Sequence, residues 1–543
     1  MPTYADVVAA TLAEAGIEYI FGVPGSLSSV ELIEAAAKRG IRYVLTSNES
    51  SAAVMAGVYG AMRARPGVVS TGVGPGAAAA LHGTAHLHLE RAPALILTDR
   101  YAEDEYRRLS RQRLDQPRLY APVTKGSFTL TAEDAAATIR RAIELSLAGR
   151  PGPVHVDLPY DVMLAEAPSQ EPLVVRHSNH EPPSFDDGRP SFKSLRTSES
   201  LDAAAAMIEA AWRPAVIVGL QVSRRGEAAE RAFVAFAERL GAPVFASLAA
   251  KGTLPEQHPL AAGTFRGAAS ERALLDQADL LVLAGFDPVE VFSPGVWHYD
   301  APVLAIDAVP CSDEAPYRPR LDVVGDLEQS LRLLTERVSA HSGWNREDVE
   351  AYRRAREDGL HPKGSGLLPG AVIRVARERL PDEGILTVDA GQHKVLTSDL
   401  WQARRPRGFF TSSGLGSMAV AIPAALAAKL VEPRTPVLCL VGDGGFLMRA
   451  GDLETAIRED LPVVIVVFND RTLNLIKIQQ DRRGYQRLGT SFAETDFAAV
   501  ARGFGFEAAT VHDEAALDAA LSQAFASNRP WLIDALINPE GYV

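Results

Sequence analysis

Two short apolar runs, VLCLVG (437–442) and VVIVVF (463–468), constrain the fold more than any other feature of the chain. Neither alternates with polar residues, which is how a strand reads when both faces of its sheet are covered. Between them AGDLETAIRED (450–460) places Leu453, Ala456 and Ile457 at helical spacing without an internal proline. A strand, a helix and a strand in that order make a right-handed crossover between parallel strands, so both strands end at one edge of the sheet. The first run ends in Gly442-Asp443-Gly444-Gly445 and the second in Asn469-Asp470. Both carboxylates therefore reach the crevice where open α/β sheets bind ligands. Two hard oxygen donors suit Mg²⁺, which takes one or two carboxylates plus phosphate oxygens. The glycines let backbone amides approach a phosphate at the next helix N-terminus. Alone, GDGG also reads as a plain βα turn; Asp470 at the next strand end turns the balance to a metal-diphosphate site.

At 543 residues the chain exceeds one core, and about 150 residues per domain gives three or four. Against 68 acidic residues stand 55 basic ones, a formal charge of −13, which argues against nucleic acid or anionic membrane as partner. Cys311 and Cys439 cannot make a disulfide framework, and Cys439 lies inside an apolar run, so a buried thiol and a reducing compartment are expected. MPTYADVVAATLAEAG lacks a basic n-region before an apolar h-region, and no 18-residue apolar run occurs. The expectation is a cytoplasmic protein without a membrane span.

The rhythm along the chain predicts three doubly wound parallel-sheet α/β domains. Residues 1–165 alternate helices with IEYIFGVPG, IRYVLTS, GVVSTGVGPG and APALILTD. Residues 166–200, with EPPSFDDGRP, read as a linker. Residues 201–335 carry PAVIVGL, PVFASL, LLVLAGF and PVLAID, and no GxGxxG follows the first of these runs. A second, charged linker spans 336–364, and residues 365–543 carry the Asp443 motif.

GDG followed one crossover later by Asn-Asp resembles the cofactor signature of the thiamine diphosphate enzymes of the acetolactate synthase and pyruvate decarboxylase superfamily. The resemblance runs along the whole chain as pyrimidine-binding, central and diphosphate-binding domains. It implies Mg²⁺ on Asp443, Asp470 and the carbonyl of Thr472, and diphosphate contacts from Gly442, Gly444 and Gly445 and from the Ala390-Gly391-Gln392-His393 segment. It implies that Glu49, after IRYVLTSN, hydrogen-bonds the aminopyrimidine and promotes its imino tautomer. By position alone Glu49 also reads as an acid welcome at a helix start. SSGLGSMAVAIPAALAAK resembles the GLGTMG stretch, which implies Met418 as the wedge bending the cofactor and Gly416 as the carbonyl facing its amine; alone, Met418 reads as core packing. Because Glu49 and Asp443 lie on different domains and the family builds each site from two subunits, the resemblance implies a homo-oligomer, with a dimer as the minimal unit and a tetramer as the expected assembly.

RQRLDQPRLYAPVTK (111–125) and GFDPVE (285–290), followed by Trp297, are similar to segments of the catabolic, flavin-free acetolactate synthases, placing Gln112 beside the cofactor and implying no FAD. LNLIKIQQ resembles the segment lining the substrate pocket, so Leu475, Ile476 and Gln479 are pocket candidates; an ordinary helix with a solvated Gln479 is the alternative. Three positions depart from that branch. Leu27 stands where PGAK has lysine, Asn48 where a histidine commonly precedes the glutamate, and Ala79 where GPGxxN has asparagine, which leaves substrate identity open. His82, His86 and His88 have no carboxylate or cysteine at matching spacing and read as ordinary helix positions rather than a metal site. The resemblance thus implies a Mg²⁺- and thiamine diphosphate-dependent carboligase, which decarboxylates a 2-oxo acid and couples the fragment to a second carbonyl. The alternatives are a decarboxylase releasing aldehyde and a catalytically silent binding subunit.

Overall fold

The computed structural model describes residues 1–168, 197–291, 297–313, 315–339, 342–358, 360 and 364–542. Most of the expected first linker, 169–196, lies outside the described residues. The chain forms two compact units, Met1–Thr197 and Ser198–Val543.

The first unit holds one six-stranded sheet of β1 (Tyr19–Val23), β2 (Arg42–Leu45), β3 (Gly67–Thr71), β4 (Ala94–Arg100), β5 (Ser127–Thr129) and β6 (Pro153–Pro159). Its order is β2-β1-β3-β4-β6-β5, and every pair is parallel. Strands β3 and β6 are buried along their whole length, as strands covered on both faces must be.

The second unit contains two sheets. One consists of β7 (Pro214–Val218), β8 (Val244–Ala246), β9 (Ala261–Thr264), β10 (Leu280–Ala284), β11 (Val303–Asp307) and β12 (Leu321–Val324), in the order β12-β11-β10-β7-β8-β9. The other consists of β13 (Ile385–Val388), β14 (Phe409–Thr411), β15 (Val437–Gly442), β16 (Val464–Asn469), β17 (Glu507–Val511) and β18 (Trp531–Leu536), in the order β14-β13-β15-β16-β18-β17. Strands β15 and β16 pair in parallel, Leu438 opposite Val464, so their C-terminal ends share an edge. Two short helices, Asp443–Arg449 and Asp452–Arg458, make the crossover where the spacing suggested one.

Each sheet has a reversal of strand order near its middle, between β1 and β3, β7 and β10, and β13 and β15. Such a reversal opens a crevice at the carboxyl edge because the flanking connections leave in opposite directions. Within 336–364 the chain forms the helix Arg346–Asp358, and Val349 and Tyr352 join the central core with Phe245, Phe265 and Trp344. Trp297 packs against Tyr299 and Tyr317, with ring centroids 5.1 and 4.9 Å away. Cys439 is buried, and neither it nor Cys311 forms a disulfide. Among the described residues no helix is long and apolar enough to cross a membrane.

Candidate active site

In the first unit the crevice edge collects Leu27, Glu49, the Gly74-Pro75-Gly76 turn and Gln112. Glu49 opens the helix Glu49–Arg63, and Asn48 caps that helix by accepting the Ser51 N–H at 2.9 Å, a role asparagine fills well. Burial holds the Glu49 carboxyl above the usual carboxylate range. Its Oε1 would lie 3.2 Å from a β-carbon on Gly76, so glycine there leaves the carboxyl room. Gly74 has φ +65, and a β-carbon on it would meet the Gln112 carbonyl oxygen at 2.5 Å. Gln112 is itself left-handed, at φ +57, and its Oε1 accepts the Tyr101 hydroxyl at 3.3 Å.

Two residues that the motifs do not mark hold this edge. Buried Gln116 donates through Nε2 to Asp157 (2.5 Å) and Thr98 (2.9 Å), tying the 111–117 segment to β4 and β6. Asp99, at the end of β4, accepts from Ser29 N–H and Ser29 Oγ (both 2.7 Å) and from Leu27 N–H (3.3 Å), fixing the loop that carries Leu27. Burial pushes its carboxyl up to about 6 against the opposing pull of those bonds. His82 Nδ1 lies 2.8 Å from Ser50 Oγ, and among the described residues no group of three His, Cys, Asp or Glu side chains forms a metal site.

In the third sheet the predicted residues converge on the β13/β15 reversal. Asp443 Oδ2 and Asp470 Oδ1 both accept the Thr472 N–H, at 3.2 and 3.0 Å, while Asp443 Oδ1 accepts the Gly444 N–H at 2.6 Å. Asn474 Nδ2 donates to Asp470 Oδ2. The turn between these residues, with Arg471 at φ +59, is pinned by Leu473 N–H to Thr490 O (2.7 Å) and Phe492 N–H to Arg471 O (2.8 Å). Burial, and then the neighbouring Asp443 charge, push the Asp470 carboxyl up to about 7. Two carboxylates crowded on one amide could hold a cation, and paired with a nearby backbone carbonyl they suit Mg²⁺ completed by phosphate oxygens.

The opposite wall is His393. Its ring is buried, stacks on Phe468 with centroids 5.2 Å apart, and fills the space a β-carbon on Gly391 (2.8 Å from Nδ1) or Gly442 (3.1 Å from Cε1) would need. Burial drives its basicity down to about 3, so the imidazole is neutral, and Nε2 is buried without a protein partner. An orphaned polar atom beside two glycine turns fits an edge built to meet a polar ligand. Ala390 and Gln392 flank it at half-buried positions. Above Gly444, a β-carbon would meet Leu473 (2.9 Å), Met418 Cε (3.2 Å) and Phe492 (3.2 Å), so Met418 lies directly over the glycine turn. Gly416, at φ +65, is exposed nearby. A β-carbon on Gly445 would sit 2.1 Å from Asp389 Oδ2, so this glycine makes room for a buried carboxylate.

Residues 2–119 match the family described as "Thiamine pyrophosphate enzyme, N-terminal TPP binding domain", 201–334 its central domain and 389–535 its C-terminal TPP binding domain. The chain belongs to the thiamine pyrophosphate enzymes. Like them it carries three α/β domains, and it is similar to acetolactate synthases. It is 28% identical to a probable acetolactate synthase large subunit of Methanocaldococcus jannaschii over 98% of this chain and 92% of the relative. It is 28% identical to the catabolic acetolactate synthase of Raoultella terrigena, covering 97% and 94%. It is 29% identical to a probable 2-ketoarginine decarboxylase of Pseudomonas aeruginosa, covering 96% and 92%. The pocket candidates Leu475 and Ile476 open the helix Asn474–Arg482 and are 40% and 48% exposed, so neither is core, while Gln479 is half-buried.

The same edge of the central sheet is closed from within. Glu290 accepts the Leu220 N–H at 2.9 Å and the Asp287 N–H at 3.0 Å, and also the Ser247 hydroxyl. Leu220 follows β7 and Asp287 follows β10, so the carboxylate sits across the β7/β10 reversal. A β-carbon on Gly219 would meet Phe286 Cα at 2.3 Å, leaving no gap between the two turns.

Proposed function

We propose that this chain is a Mg²⁺- and thiamine diphosphate-dependent carboligase acting on a 2-oxo acid and a second carbonyl compound. The observation that carries the reading is the pair Asp443 and Asp470 on the single Thr472 amide, at the strand edge where His393 Nε2 is buried without a protein partner. Asp443, Asp470 and the Thr472 carbonyl would hold the metal, and Gly442, Gly444, Gly445 and the Ala390–His393 turn the diphosphate. When bound, thiamine diphosphate supplies the electron sink for loss of carbon dioxide from a 2-oxo acid.

The chain's own groups orient and protect that chemistry. Glu49, held towards its protonated form by burial, is placed to share a proton with a ring nitrogen of the aminopyrimidine. Met418 would wedge between the two rings of the cofactor, and the Gly416 carbonyl would orient its amine. Gln112 in the first unit and Leu475, Ile476 and Gln479 in the second are the substrate-side candidates, and the neutral amides of the two glutamines could orient a carbonyl without delivering a proton. No His-His pair occurs in the first domain, and VVSTGV precedes Gly74, so the proton donors common in decarboxylases are absent from those positions. A silent binding subunit would not be expected to keep Glu49 and Asp443 together. The Glu290 carboxylate across the central crevice supports a protein without FAD. Leu415, Leu447 and Met448, exposed like Leu475 and Ile476, support an assembly of at least two copies.

A second reading, decarboxylation with release of free aldehyde, is favoured by one contact: His82 bonds Ser50, the residue after Glu49. Product analysis separates the two. With pyruvate and other 2-oxo acids, and aldehyde or ketone acceptor in excess, a coupled 2-hydroxy-ketone should dominate. Free aldehyde alone from every accepted donor would replace the carboligase by the decarboxylase.

A further inference from the structure

The turn that carries Met418 is held chiefly by Asp389, Lys394 and Arg449, which no motif of the sequence marks. Asp389, the residue after β13, is fully buried, and its two carboxylate oxygens accept the N–H groups of Ala419 (2.8 Å), Val420 (2.8 Å) and Ala421 (3.2 Å). From the helix Asp443–Arg449, Arg449 Nε donates to the Ala419 carbonyl at 2.9 Å. Upstream, Lys394 Nζ donates to the Ser412 carbonyl (2.7 Å) and the Ser417 N–H to Ser412 Oγ (3.0 Å). The peptide on both sides of Ala419 is thus gripped by charged side chains.

Ala419 needs that grip. Its φ is +68, a left-handed conformation in which a β-carbon is crowded against the following carbonyl, and it stands where the family stretch GLGTMG ends in glycine. Such strain persists only where the surroundings over-determine it. Charge-assisted bonds from Asp389 and Arg449 do so here, and they are stronger than neutral ones. One residue back, Met418 places Cε against Gly444. We propose that Asp389, seconded by Arg449, is a positioning residue that locks the Ala419 turn and thereby sets where Met418 stands over the diphosphate-binding glycines. This inference rests on the cofactor reading given above.

Hydrogen exchange of the cofactor-free protein tests the clamp directly. In Asp389→Asn the amides of residues 419–421 should exchange at least tenfold faster, while the β15 amides stay as in the parent. With thiamine diphosphate and Mg²⁺, the variant's cofactor affinity should stay within threefold and kcat should fall ten- to a hundredfold, as in Met418→Ala. Groups that act as one unit are non-additive, so the double variant should be no slower than the slower single one. Losses that multiply, or unchanged exchange at 419–421, would overturn the proposal. If Asp389→Asn does not fold, Arg449→Gln with Met418→Ala completes the same cycle. Faster exchange with full turnover in both single variants would instead overturn the role given to Met418 in the cofactor reading, while the clamp stood.

Discussion

Replacing Glu290 by glutamine should change how stability depends on pH, by an amount the central crevice sets. The carboxyl is buried, and burial pushes it from 4.5 up to about 8 despite three hydrogen bonds that favour its charge. Below pH about 4.5 the folded and unfolded chains both hold this proton. Above it the unfolded chain releases the proton while the folded chain keeps it, so stability falls with rising pH until the folded group titrates near 8. At about 1.4 kcal/mol per pH unit, the interval corresponds to about 5 kcal/mol, an upper bound that relaxation of the site reduces. Glutamine does not titrate, and its amide must face one of the N–H donors, a constant cost of about 1–3 kcal/mol. The parent should therefore be the more stable protein at pH 5, and the gap should close, or reverse, by pH 8.5. Denaturant midpoints of parent and variant across this range measure it, and Asp99 and the other titrating groups cancel in the difference. A gap constant over the whole range would refute a proton held at Glu290.

Glu49→Gln should bind the cofactor as the parent does yet slow proton exchange at its thiazolium C2 by about a hundredfold or more; unchanged exchange on NMR would remove Glu49 from the chemistry. Asp443→Ala should lose Mg²⁺ and diphosphate affinity together in calorimetric titration, because one metal links both equilibria, and full-strength binding would reduce GDGG to a turn. Gly445→Ala, whose β-carbon would stand 2.1 Å from a buried carboxylate oxygen, should cost about 2–3 kcal/mol by overpacking, read as a lowered unfolding midpoint; an unshifted midpoint would count against that close contact. The purified protein should be colourless, and a stoichiometric flavin spectrum would show that Glu290 does not keep the central crevice closed.

What the sequence made legible was whatever is local. Unbroken apolar runs such as PAVIVGL and VLCLVG announce buried parallel strands, and GDGG followed by Asn-Asp places its carboxylates because strand direction is fixed by the crossover. The β6 strand was harder to see, since PVHVDLP carries His155 and Asp157 inside a buried strand, where Thr98, Gln116, Ser127 and Arg100, distant in sequence, satisfy them. Asp389 stayed hidden for the same reason: its partners lie 30 to 32 residues downstream. GFDPVE stood out as a resemblance, but Glu290 as the closure of the crevice depends on Leu220, 70 residues earlier. The region from Asn345 to His361 looked like a linker because its charges dominate, while Val349 and Tyr352 supply its buried stripe.

Asp389 and Gly445 carry a consequence for how this enzyme can change over generations. The carboxylate occupies the space a side chain at 445 would take, so neither position drifts without cost. A larger residue at 445 is accommodated best after Asp389 has shrunk, and a smaller residue at 389 releases three amides. The two sites, 56 residues apart, form one epistatic unit. Variation enters more readily at partly exposed positions such as Leu475 and Ile476.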